Sequence, residues 1–132
     1  MQSYTSFQNF ALFILRAIIA AIFLVAGINK FDYWSGMPGS TAFDLFMIKF
    51  LSFAEPLGAI ALLIGFLTRI ASGCLIIIML GAIYYAHFVY HMGFVTPTGA
   101  GWDFPLMILG GCLILVAFGA GGWSVDALKK RR

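Results

Sequence analysis

The side chains of this sequence that have chemistry to offer are few, and they are oddly placed. Arg16, Lys30, Glu55, Arg69, His87, His91, Asp103 and Asp126 stand inside or at the edges of long apolar runs. A bare charge in hydrocarbon costs several kcal/mol, so each must face protein, an opposite charge or a ligand. Glu55 shows how this is done. In the stretch 53–69, FAEPLGAIALLIGFLTR, Glu55, Gly58, Leu62, Gly65 and Arg69 recur at i, i+3, i+7, i+10 and i+14, which a helix of about 3.6 residues per turn gathers on one stripe. Glycines let a neighbouring backbone come close, so an acid and two glycines in line predict a seam between helices. Arg16, Ala20, Phe23, Gly27 and Lys30 form a second stripe of the same kind, with small residues between basic ends.

Ordered by depth, Arg16, Arg69 and Asp126 gather toward one membrane face, and Lys30, Glu55, His87, His91 and Asp103 toward the other; each cluster holds both signs. We expect Arg16 inside the bundle, paired with Asp126 or with carbonyls at the glycine-rich end of the last helix, and Glu55 paired with Lys30 or a histidine. Such pairs fix packing, hold a polar ligand or relay a proton. His87 and His91, at i and i+4 on a helix, share a face, the spacing with which two imidazoles reach one metal or haem iron. The set lacks a third Cys or His and only Glu55 or Asp103 could complete it, so no metal site is expected and interfacial packing is the plainer role. Cys74 and Cys112 form no CxxC and differ in depth by roughly 8 Å at 1.5 Å per residue; both read as small buried hydrophobes rather than a disulfide or dithiol. Fourteen Phe and five Tyr suit a flat lipophilic ligand such as a quinone, and equally suit core or lipid contact. No phosphate cradle, nucleophile arrangement or nucleic-acid patch is present.

The elements that must position these groups follow from composition. With 62% hydrophobic and 10% charged residues in 132, the chain is far from the roughly half apolar, quarter charged usage of soluble domains. It reads as a single all-α integral membrane domain, a four-helix bundle with helices at about 9–29, 50–68, 70–90 and 103–120 and a basic tail at 124–132. The first run lacks the basic n-region of a signal peptide and is taken as a retained helix. Residues 31–41, with Trp34, two glycines and Pro38, read as an interfacial loop. Residues 42–53, interrupted by Asp44 and Lys49, are either an interfacial helix or the opening turns of a long second helix bent at Pro56. A tight turn around Thr68 and Arg69 makes the second and third helices antiparallel neighbours. The loop 91–101 repeats the composition of the first loop, a hint of duplicated hairpins. Trp34, Trp102 and Trp123 mark span ends.

Four spans put both termini on one side, together with Arg69, Lys129, Lys130, Arg131 and Arg132, against Lys30 and Lys49 opposite. The excess of bases makes that side cytoplasmic. The net charge of +3 is largely this tail, a topology signal or a contact with anionic lipid rather than a nucleic-acid surface.

In this order and spacing, several short motifs resemble the DoxX family over nearly the whole chain. They are Arg16 with Gly27-Ile28-Asn29-Lys30; Glu55, Gly58 and Leu63-Ile64-Gly65-Phe66-Leu67-Thr68-Arg69; Ala86-His87-Phe88; and Gly119-Ala120-Gly121 followed by Ser124-Val125-Asp126. The resemblance implies a four-helix, multi-pass protein of a bacterial inner membrane, in a family named for a subunit associated with terminal quinol oxidase and thiosulfate:quinone oxidoreductase. Relatives with a cysteine pair are linked to thiol redox work, and this chain lacks that pair. No complete catalytic or redox centre is visible, so catalysis would need a borrowed cofactor, a quinone or haem, or a partner subunit. The leading expectation is an accessory or quinone-binding subunit of a redox-linked membrane assembly. Its partners would be the bilayer, a membrane or redox subunit and, for a homo-oligomer, a second copy of the chain. The alternatives are a small transporter or proton relay using Glu55, and a structural subunit without ligand.

Overall fold

Thr5 and Gln8 start the first helix. The Thr5 hydroxyl accepts from the Gln8 N–H and the Gln8 side chain accepts from the Thr5 N–H, which satisfies two donors that a first turn leaves open. In the computed structural model, which describes residues 4–130, this box launches α1, Ser6–Asn29, ahead of the apolar run. Arg131 and Arg132 of the basic tail lie outside the described residues.

Thr41 and Asp44 repeat the box at the start of α2, Ala42–Ile64. Residues 42–53 are therefore the opening turns of one long helix containing Pro56, and the second helix begins well before the expected residue 50. It also ends earlier than 68. Gly65 takes a left-handed backbone, φ 70°, and the Phe66 N–H turns back to the Ala61 carbonyl at 2.8 Å, a glycine stop that the apolar residues beyond it hid. Leu67 is left-handed too, φ 48°, and α3 runs Thr68–Tyr84. The turn is thus residues 65–67, and Arg69 lies inside α3 instead of closing the α2 stripe. The expected helix to residue 90 gives way at Tyr85–Val89 to a π turn. A short hairpin, β1 Val95–Thr96 with β2 Gly99–Ala100, precedes α4, Asp103–Phe118, and α5, Val125–Lys130, closes the described chain.

α1 lies along α2 and α3 along α4, and α2–α3 and α1–α4 contacts close the ring. Each helix buries one stripe at three- and four-residue spacing: Leu12, Arg16, Ile19, Phe23 and Gly27 on α1; Ser52, Glu55, Ala59 and Leu62 on α2; Thr68, Ser72, Leu75 and Met79 on α3; Ile108, Cys112 and Leu115 on α4. Cys74 falls off its stripe and is exposed, which corrects the expectation that both cysteines are buried. Outward faces carry Ile18, Leu57, Ile77 and Met107, all more than half exposed, a surface that lipid accepts and water does not. Three helical segments, residues 6–33, 42–64 and 68–89, are long and apolar enough to cross a membrane. The fourth, α4, is apolar but spans only about 24 Å at 1.5 Å per residue, because the chain leaves the helix at Gly119.

The α1–α2 seam is closest at Gly27, where an added Cβ would overlap Cγ and Cδ of Pro56. That ring is rigid and cannot move aside. Gly27→Ala is expected to cost about 1–3 kcal/mol by overpacking, measured by unfolding in detergent. Gly110→Ala, with nothing within 4 Å of its new Cβ, should leave stability unchanged.

Candidate functional site

Two polar centres lie at opposite ends of the bundle. At the first, Arg16 is fully buried. Its Nη1 donates to the Leu62 carbonyl at 3.2 Å and its Nη2 to the Trp123 carbonyl at 2.5 Å, with the guanidinium 5.6 Å from the centroid of the Phe13 ring. Gly65 makes the room: a Cβ there would strike both Nη1 of Arg16 and Ser124. Of the two partners expected for Arg16, the structure gives a carbonyl past the glycine-rich end of α4, that of Trp123, and adds the Leu62 carbonyl of α2.

Asp126 is used elsewhere. Its carboxylate accepts from the Leu67 and Thr68 N–H groups, both at 2.9 Å, and its own N–H donates to the Gly65 carbonyl at 2.9 Å. Leu67, left-handed and apolar, cannot cap α3 itself, so the acid arrives from 59 residues downstream in its place, where it also suits the helix dipole. The carbonyls at the end of α4 are covered from other helices: Tyr4 Oη donates to Phe118 at 2.7 Å and Arg69 Nη2 to Ala117 at 3.2 Å. Asn9 Oδ1 accepts from the Gly122 N–H at 2.6 Å. Arg16 and Arg69 thus reach the chain past α4 at Trp123 and Ala117, while Asp126 reaches back to residues 65–68, each bound to backbone.

At the other end Lys30 Nζ meets Glu55 Oε2 at 2.6 Å. The Glu55 side chain is 3% exposed and the Lys30 side chain 27%, so the acid is inside and the base is at the rim. Lys30 also reaches the Ala26 carbonyl at 3.4 Å. Phe31, Trp34 and Phe53 cluster beside Lys30 and Ser52, with centroids 5.0 to 5.9 Å apart, and Trp34 Nε1 donates to Ser52 Oγ at 3.1 Å. Further along the same helix pair, Ala17, Ala20, Ala21, Leu24, Ala59 and Ile60 line an apolar cleft of about 170 Å³.

The remaining expected site residues do not join this pair. His87 packs edge-on against Trp102 at 5.8 Å, and His91 lies past the π turn with φ 51°, so the regular i, i+4 relation that would align two imidazoles is lost. Both histidines are exposed. Asp103 Oδ1 accepts from the Gly101 N–H at 2.8 Å. Among the described residues no hydrogen bond or ion pair links His87, His91 or Asp103 to Glu55. Sequence reasoning passed over Asp44, which caps α2 and accepts from the Tyr85 hydroxyl at 3.2 Å; the Thr-x-x-Asp spacing was its signal. Tyr4 and Asn9 gave none, since both precede the apolar run.

These features define a class: a helical membrane protein whose interior charges are met inside the bundle, by an opposite charge at one end and by backbone at the other. The chain belongs to the DoxX family, whose family model matches residues 11–88, from α1 into the π turn after α3. The match contains Arg16, Lys30, Glu55, Arg69 and His87; His91, Asp103 and Asp126 lie beyond it. No curated protein and no solved structure matches the chain.

Proposed function

We propose that the chain is an accessory subunit of a redox-linked assembly in a bacterial inner membrane, with both termini cytoplasmic, and that it binds a quinone-like molecule at the Lys30 end of α1 and α2. The Lys30–Glu55 pair is the observation that carries this reading. A lysine ammonium has three donors, and here one is held by Glu55 and one directed at Ala26, while the side chain stays partly exposed at the rim. An N–H at that rim suits a quinone carbonyl. The Phe31, Trp34 and Phe53 rings offer it a flat apolar wall, and the cleft along α1 and α2 offers a course for an apolar tail. When bound, a quinone would supply the electron-carrying chemistry that no side-chain cluster among the described residues supplies. The chain's own residues hold and orient: Glu55 fixes Lys30, and Ser52 fixes Trp34.

The test is the quinone content of the purified protein, read from its extracted lipids. The expected result is close to one quinone per chain, with strong depletion in Trp34→Ala, which removes the wall and leaves the ion pair. A quinone-free preparation of the wild-type protein would overturn the reading. The hold of backbone carbonyls on both terminal nitrogens of Arg16 favours, as a second reading, a structural subunit without ligand; a pull-down that recovers the same partner with Lys30 or Trp34 replaced, from quinone-free protein, would support it.

A further inference from the structure

At the Arg16 end a groove of about 950 Å³ opens between the start of α3, the chain past α4, and α5. Its wall carries two chemistries. Arg69, Lys129 and Lys130 line it against one carboxylate, Asp126, and that carboxylate is already engaged by the Leu67 and Thr68 N–H groups. Beside these charges Leu67, Ile70 and Phe118 present exposed apolar surface. Lys129 is steadied with its Nζ 4.4 Å from the centroid of the Phe66 ring.

A second, independent feature lies in the same wall. Thr68 is fully buried, yet its Oγ1 has no hydrogen-bond partner among the described residues. An unpaired buried hydroxyl is costly, and Thr68 is one of the residues that line the groove. Ser72 in the next turn donates to the Thr68 carbonyl at 2.7 Å, a bond to the preceding turn that Thr68, the first residue of α3, does not have within its own helix. Three cations, an unpartnered hydroxyl donor and adjoining apolar surface at the end of a membrane bundle match an anionic oxygen attached to an acyl chain.

We propose that this groove is a specific site for the phosphate of an anionic phospholipid. Arg69, Lys129 and Lys130 supply the charge, Thr68 Oγ1 donates to a phosphate oxygen, and Leu67, Ile70 and Phe118 lie against the chains. The site is separate from the quinone-like reading, at the opposite end of the bundle, and stands without it.

The test returns the full-length protein to vesicles of phosphatidylcholine alone and of phosphatidylcholine with an equal amount of phosphatidylglycerol, then measures which lipid stays bound after extraction. Phosphatidylglycerol is expected to be retained preferentially. Lys130→Gln should lower that preference about fivefold, the effect of one basic residue at a lipid surface. Thr68→Val, which keeps the shape and removes the hydroxyl, should lower it as well. An unchanged preference in Thr68→Val would mean diffuse attraction by the basic tail and would overturn the site, and so would equal retention of both lipids. If Thr68→Val does not fold, Lys130→Gln decides alone: the exposed side chain is not needed for folding, and an unchanged preference there overturns the proposal. Displacement of the lipid by millimolar inorganic phosphate would identify a soluble ion as the ligand and overturn the lipid assignment.

Discussion

Arg16→Ala is expected to cost about 3–5 kcal/mol of stability, the largest effect of any single substitution at the Arg16 end. Two losses combine. The guanidinium and its stem fill a fully buried volume, and a cavity left by a large-to-small change there costs about 2–5 kcal/mol. The Trp123 carbonyl, 2.5 Å from Nη2, loses a charge-assisted bond worth about 1.5–3 kcal/mol, while the Leu62 carbonyl keeps the Gly65 N–H at 3.1 Å. Removing a buried charge returns part of its desolvation cost, which is why the two losses do not simply add. Arg16→Met separates them: it restores most of the volume and should cost about half as much. Trp123, packed against Phe10 and Phe13 with centroids at 6.2 Å, reports the outcome through its fluorescence during unfolding. Stability in Arg16→Met equal to wild type would show that the carbonyl bonds contribute nothing.

The second large effect is an asymmetry across the ion pair. Lys30→Met strands the Glu55 carboxylate, 3% exposed, without its partner, and breaking a buried pair in this way costs about 3–5 kcal/mol. Glu55→Gln removes the opposite charge from a lysine that is already at the rim. Its flexible stem lets the ammonium swing to the interface, so the cost should stay near 1 kcal/mol. Both are measured by reversible unfolding in mixed micelles. Equal costs for the two variants would mean that Glu55 is not the buried member of the pair.

The seams between helices were legible in the sequence because a charge or a glycine inside hydrocarbon admits few placements. Arg16, Ala20, Phe23 and Gly27 do share the buried face of α1, and Glu55 and Leu62 that of α2. The element ends were less legible, since hydropathy does not set them. Thr5 and Thr41 start their helices through hydrogen bonds made outside the apolar runs, and Gly65 stops α2 inside one through its left-handed backbone. Arg69, read as the last residue of the α2 stripe, was displaced by that one glycine.

Partner choice was hidden for a different reason. Opposite charge made Asp126 one of the two partners expected for Arg16, but the turn 65–67 leaves the Leu67 and Thr68 amides bare, and a carboxylate answers bare amides better than any other group at that end of the bundle. The Trp123 carbonyl past α4 then falls to the arginine. The histidines failed for want of a regular helix: their spacing is four in number but crosses a π turn and a left-handed residue.

The central claim is that charged side chains within the apolar segments are held by one another or by backbone across helix seams. A double-mutant cycle on Lys30→Met and Glu55→Leu tests it most directly, with all four proteins unfolded under one set of conditions. The structure predicts that the double variant is more stable than Lys30→Met alone, with a coupling of about 2–3 kcal/mol between the two sites. Costs that add to within about 0.5 kcal/mol would show that the two side chains do not meet, and would contradict the account.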